Sequence, residues 1–161
     1  MATETVQTKE RSILVYSYWP YAALLGGLVG AIRPLFNVLV DFGPTAGVLV
    51  ALPEIQFWWV IHVAYSAVFG AGFGLVVYYY RIRPYSELLP TGAVLGLGYG
   101  IALWFGNIVV GWNLILEPYV LSLAEPVDAF AAGPIVDHVV FGLVLGIAYA
   151  IVIPRLSRNG G

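Results

Sequence analysis

Cysteine is absent from this chain, which excludes disulfides, thiolate metal ligation and covalent c-type haem attachment. Lysine is nearly absent as well, with Lys9 standing beside arginines at 11, 33, 81, 83, 155 and 158. Charged residues make up 10% of the sequence, too few to coat a water-soluble domain. No phosphate loop, dinucleotide fingerprint or metalloprotease motif occurs, and a formal net charge of -2 with sparse basic residues leaves no nucleic-acid footprint. Hydrolytic chemistry lacks its parts. Asp137 and His138 are neighbours, so on a helix they point about 100° apart, and the segment holding Ser66 and His62 has no acidic residue to complete a triad.

What the chain has in abundance is apolar length. Of its 161 residues 60% are hydrophobic, and its mean hydropathy is +0.87. Four runs, 16–40, 57–80, 88–112 and 135–153, reach or approach the roughly 20 residues that cross a hydrocarbon core. The first run exceeds a signal-peptide core and has no small-residue cleavage pattern, so it is expected to stay in the mature protein. Lys9, Arg11, Arg81, Arg83, Arg155 and Arg158 fall on one side of these runs; Asp41, Glu54, Glu117, Glu125, Asp128 and Asp137 fall on the other. The positive-inside rule then predicts a multi-pass protein of the cytoplasmic membrane with both termini cytoplasmic. Tyr16, Tyr18 and Trp19, Phe57 to Trp59, Tyr78 to Tyr80 and Trp112 supply aromatic belts at the predicted borders. The apolar outer stretches 48–53 and 119–123 are too short to cross and are expected to lie along the interface.

The chain also repeats itself. His62-Val63-Ala64-Tyr65-Ser66-Ala67-Val68-Phe69-Gly70 is echoed by His138-Val139-Val140-Phe141-Gly142-Leu143-Val144-Leu145-Gly146, and these are its two histidines. Pro20, Gly26, Gly30 and Asn37 recur as Pro90, Gly96, Gly100 and Asn107. A two-helix unit used twice makes parallel repeats related by a pseudo-two-fold axis along the membrane normal. The expected fold is therefore all-α: one domain, 1–161, forming a four-helix transmembrane bundle of two hairpin repeats, about 16–80 and 88–153. Small residues at four-residue spacing (Gly26/Gly30, Ser66/Gly70/Gly74, Gly92/Gly96/Gly100, Gly142/Gly146/Ala150) provide faces on which helices approach closely in lipid.

Polar side chains gather near the predicted outer border. Asn37 and Asn107 end the first and third spans, and His62 and His138 lie about one turn into the second and fourth. Arg33 shares a helix face with Asn37, with Leu103 at the equivalent place in the other repeat. Pro34 removes a backbone donor beside it and is expected to kink the span. An ionisable residue inside a span is a functional-site hypothesis by default, so Arg33, Asn37, His62, Asn107 and His138 form the expected ligand-binding site, with Asp41, Glu54 or Asp137 as partners for Arg33. Two imidazoles at equal depth could ligate a haem b axially, with Arg33 near a propionate, or hold a divalent cation together with a carboxylate. The metal-ligand candidates are thus His62 and His138. A titrating histidine also suits a small transporter or channel.

The string from His138 to Tyr149, with its partner at His62, resembles the histidine-and-glycine motif of small uncharacterised multi-pass membrane proteins of the YagU-like kind and similar haloarchaeal four-helix membrane proteins. The resemblance covers two short windows and departs at Ser66, where the second copy has Gly142. It implies an integral cytoplasmic-membrane protein and carries no catalytic role over to either histidine. The leading expectation is a non-enzymatic accessory or binding subunit of a larger membrane assembly, surrounded by lipid and joined to a protein partner or a second copy. A bis-His haem or quinone-linked electron carrier and a small transporter are the alternatives.

Overall fold

The computed structural model describes residues 18–41, 53–79, 81–116 and 129–159, and side chains at 18–32, 60, 62–79, 81–111, 113–115 and 129–156. Among the described residues the chain is almost entirely helical and has no strand. Its elements are α1 (Trp19–Asp41), α2 (Pro53–Tyr79), a short α3 (Arg83–Ser86), α4 (Leu89–Leu103) running directly into a π-helical segment (Trp104–Leu116), and α5 (Ala132–Asn159). At 1.5 Å per residue, α1, α2 and α5 are about 35, 40 and 42 Å long, enough to cross a core of about 30 Å. Three apolar stretches, His62–Tyr79, Leu89–Ile115 and Ala132–Leu156, have spanning length and composition, and Trp19–Ile32 is a shorter apolar helix. The short apolar stretches 48–53 and 119–123, expected along the interface, lie almost wholly outside the described residues.

Two compact units divide the chain. The first joins Met1–Tyr85 to Val152–Gly161, and the second is Ser86–Ile151. Within the first, α1 and α2 run antiparallel with glycine against glycine. A Cβ added to Gly26 would lie 2.7 Å from the Gly70 Cα, and one added to Gly70 would overlap the Ala22 carbonyl oxygen. Gly30 faces the Ser66 side chain, and Gly74 faces Trp19 and Ala22. Within the second unit, α4 and α5 meet in the corresponding way. Gly96 lies against Gly142 and Gly146, Gly100 against His138 and Gly142, and Gly92 against Gly146 and Ala150. Every one of these contacts is closer than a methyl group allows. The glycine faces are closed inside each hairpin, as close approach of helices at small residues requires.

Small residues inside and large ones outside is the opposite of a water-soluble pattern. On α1 the buried positions are Ala22, Gly26, Gly27 and Gly30, while Leu24, Leu28 and Ile32 are each more than half exposed. Lipid tails are as apolar as leucine, so exposing leucine there costs nothing, and association must come from dispersion across closely approaching backbones. A few large side chains complete the interior: Phe73, Val77 and Ile153 in the first unit, Leu145 and Tyr149 in the second.

The third span departs from the expected α-helix. At Trp104 the backbone N–H is shared between the carbonyls of Gly100 and Ile101. From there the chain follows the wider π pattern for 13 residues, where single π turns are the usual limit. The widening begins at Trp104, whose Nε1–H donates to the Ala129 carbonyl at 2.7 Å and whose ring packs edge-on to Phe130 at 5.6 Å. The Pro34 kink falls where side chains are outside the described set; α1 itself is helical from Trp19 to Asp41.

α2 ends in a Schellman motif. The Ile82 N–H bonds the Val77 carbonyl at 3.2 Å and the Arg81 N–H bonds the Tyr78 carbonyl at 3.1 Å, the paired 6→1 and 5→2 bonds that close a helix C-terminus. The motif needs a left-handed residue, ordinarily glycine. Here Arg81 takes it, at φ 54°, at a cost of about 1 kcal/mol.

Two mutational outcomes follow. Gly70→Ala and Gly96→Ala should each destabilise the protein by about 1–3 kcal/mol through overpacking against backbone, while Gly98→Ala, with nothing within 4 Å of its added Cβ, should be neutral or stabilising. Thermal unfolding in detergent followed by circular dichroism checks the contrast. Arg81→Gly should raise stability by about 1 kcal/mol in the same assay, because glycine enters the left-handed region without the Cβ penalty.

Candidate functional site

The glycine seam positions the polar residues. Gly100 on α4 lies against the His138 backbone of α5, and its Cβ would overlap the His138 carbonyl oxygen. Seven residues beyond Gly100, inside the π segment, Asn107 reaches the His138 ring: Asn107 Nδ2 is 3.2 Å from His138 Nε2. The other ring nitrogen, Nδ1, lies 2.8 Å from the Pro134 carbonyl oxygen one turn back on α5. A carbonyl only accepts, so Nδ1 carries the proton. Nε2 is then a bare lone pair and accepts from the Asn107 amide. Both nitrogens of the partly buried imidazole are engaged by protein groups.

This is also how ligating histidines are held. An Nδ1–H bond to a carbonyl fixes the tautomer and aims Nε2 outward. Here Nε2 meets an amide donor, so an axial role for His138 requires Asn107 to withdraw. Among the described residues no group of three His, Cys, Asp or Glu side chains is placed to hold a metal ion.

The first-copy histidine is held differently. His62 Nδ1 and the Tyr65 hydroxyl lie 2.7 Å apart on the same helix, their rings edge-to-face at 5.1 Å, and Tyr65 packs in turn on Phe69 at 5.3 Å. The position equivalent to Tyr65 in the second copy is Phe141, which has no hydroxyl. The His62 carbonyl faces Gly30 at 3.8 Å from the Cβ position, so both histidines sit at the corresponding end of their seams. They also lie further into their helices than expected, because α2 starts at Pro53 and α5 at Ala132.

Of the five expected site residues, Asn107 and His138 are brought together. His62 pairs with Tyr65. Arg33 and Asn37 lie one helical turn apart on α1, and their side chains are outside the described set.

A second feature was not read from the sequence. Gly98, Ala102 and Gly106 repeat the four-residue spacing on a different face of the third span, and all three are exposed. An added Cβ at Gly98 or Gly106 would meet nothing within 4 Å. Large exposed side chains, Val94, Ile101 and Phe105, flank this strip. The signal was present in the spacing but hidden beside the stronger Gly92/Gly96/Gly100 run.

No protein-family model, curated protein or solved structure matches this chain.

Asn107→Ala should cost about 0.6 kcal/mol, and at most about 1.7 kcal/mol, the range for hydrogen bonds between helices in lipid. Thermal unfolding measures it, and ¹⁵N spectroscopy of the histidine rings should show His138 protonated at Nδ1 in the wild type.

Proposed function

We propose that this protein is a non-enzymatic accessory or binding subunit of a larger membrane assembly. In this reading two parallel hairpin repeats form a four-helix transmembrane bundle, both termini are cytoplasmic, and the chain is akin to the YagU-like proteins its histidine motif resembles. The observation that carries the reading is the exposed strip of Gly98, Ala102 and Gly106. The inward glycines are consumed in holding the hairpins together, whereas this strip is left open to a further helix. A lipid-facing helix gains nothing from glycine, which lowers helix propensity by about 1 kcal/mol per residue relative to alanine.

The polar site favours binding over redox chemistry. His138 is tethered at both ring nitrogens, an arrangement that fixes a hydrogen-bonding surface without leaving an open coordination position. In the assembly the Asn107 amide and the His138 ring serve as a polar anchor near the outer border, with Asn37 and His62 as their counterparts in the first repeat and Arg33 beside them.

The test is association in the membrane. Gly98→Leu and Gly106→Leu should reduce the mass of the detergent-extracted particle toward that of the single 17.4 kDa chain while leaving its unfolding temperature unchanged, as read by native mass spectrometry and circular dichroism. Particles of unchanged mass in both variants would sink the reading. A reduced-minus-oxidised visible spectrum that shows haem in the wild type and loses it in His138→Ala would replace it with the electron-carrier alternative.

A further inference from the structure

Among the described residues, two other than glycine have positive φ, Tyr18 at 47° and Arg81 at 54°. They belong to the same compact unit and to the same end of its hairpin. The antiparallel packing of α1 on α2 sets the start of α1 beside the end of α2, with Trp19 against Gly74. Arg83 reaches this end of the hairpin, its guanidinium carbon 4.5 Å from the centre of the Tyr18 ring. Tyr18 is itself tilted against Tyr21, with ring centres 6.0 Å apart, and the Tyr18 carbonyl accepts the Ala22 N–H at 3.0 Å as α1 begins.

Left-handed strain on side-chain-bearing residues gathers where a ligand is clamped. This chain has 19 glycines, yet an arginine occupies the position where glycine suits the backbone. The strained residue adds a cation at the end of a membrane-length helix, two positions from a second cation that is already stacked and oriented. Arg81 is exposed and Arg83 half-buried. The connection 81–87 carries these two arginines and one acid, Glu87, and Arg155 belongs to the same compact unit as the pair. The guanidinium fork matches the oxygens of a phosphate, and stacking on an aromatic ring fixes the fork in advance. Basic clusters at this depth beside membrane helices recognise anionic headgroups.

We propose that Arg81 and Arg83, with Tyr18 orienting Arg83, form a binding site for the phosphate of an anionic phospholipid headgroup. The site lies at the opposite end of its hairpin from His62 and is independent of the accessory reading; it rests on the helices crossing a bilayer. The lipid is distinguished from a free anion by its tails, which lie along the exposed apolar side chains of the same unit, Leu24, Leu28 and Leu75 among them.

The experiment uses the full chain in mild detergent with an equal mixture of phosphatidylglycerol and phosphatidylcholine, and counts retained lipids by native mass spectrometry. The wild type should retain phosphatidylglycerol preferentially. Arg81→Gly, which eases the backbone and so keeps the fold, should lower that preference about fivefold, as should Arg83→Gln. Arg83→Lys keeps the charge without the fork, and it should also weaken retention. Full preference in Arg81→Gly and Arg83→Gln overturns the site, and full preference in Arg83→Lys reduces it to net charge and overturns it equally. Displacement of phosphatidylglycerol by inorganic phosphate at matched concentration overturns the lipid assignment in favour of a free anion. Flotation of the same proteins with phosphatidylcholine vesicles tests the bilayer premise by itself: wild type that floats but shows no lipid preference overturns the site alone, and wild type that fails to float overturns both.

Discussion

Backbone lying on backbone is the contact on which this structure depends. In lipid there is no hydrophobic gain from pressing two apolar helices together, so close approach has to supply the attraction. Gly26 and Gly70 supply it in the first unit, and Gly96, Gly100, Gly142 and Gly146 in the second. The seam also sets the register. Once Gly100 is fixed against the His138 backbone, Asn107 has a defined reach to the imidazole, and the tautomer follows from the Pro134 carbonyl. The polar site is thus downstream of a packing constraint that involves no polar side chain.

The third span shows how one helix is divided among tasks. One face carries Gly92, Gly96 and Gly100 into the seam, another carries Gly98, Ala102 and Gly106 outward, and the end widens into the π segment that presents Asn107. Trp104 stands at the junction, tied to Ala129. The two units resemble each other in seam register but differ at their histidines: a hydroxyl at Tyr65 holds His62 locally, whereas His138, facing Phe141 in sequence, bonds across to the neighbouring helix.

Much of this was legible from residue order. Hydropathy marks the four long helices to within six residues at each end, because it reports the apolar majority of each helix. It misplaces the start of α2, since Pro53 and Glu54 extend the helix beyond the apolar run, and Pro is well suited to a first helical turn. The pairing of Asn107 with His138 was open to inference because both recur at repeat-equivalent places. The π segment was not, since a uniformly apolar run offers no periodicity by which to tell i→i+5 from i→i+4 bonding. Nor could spacing alone say which of two interleaved small-residue strips faces inward; Gly96 and Gly98 differ in surroundings, not in chemistry. The left-handed Arg81 was hidden for a related reason: sequence shows an arginine after a helix and reads its charge, while the strain lies in the backbone.

A seam without side chains also has mechanical character. Packed leucines absorb a displacement by changing rotamers, but Gly96 against Gly146 has no rotamer to change. Each hairpin should therefore move as one stiff body, passing a push on α4 to α5 almost undiminished. The 3.2 Å bond between Asn107 and His138 lies just past the end of that stiff frame, where the wider π turns begin and compliance returns.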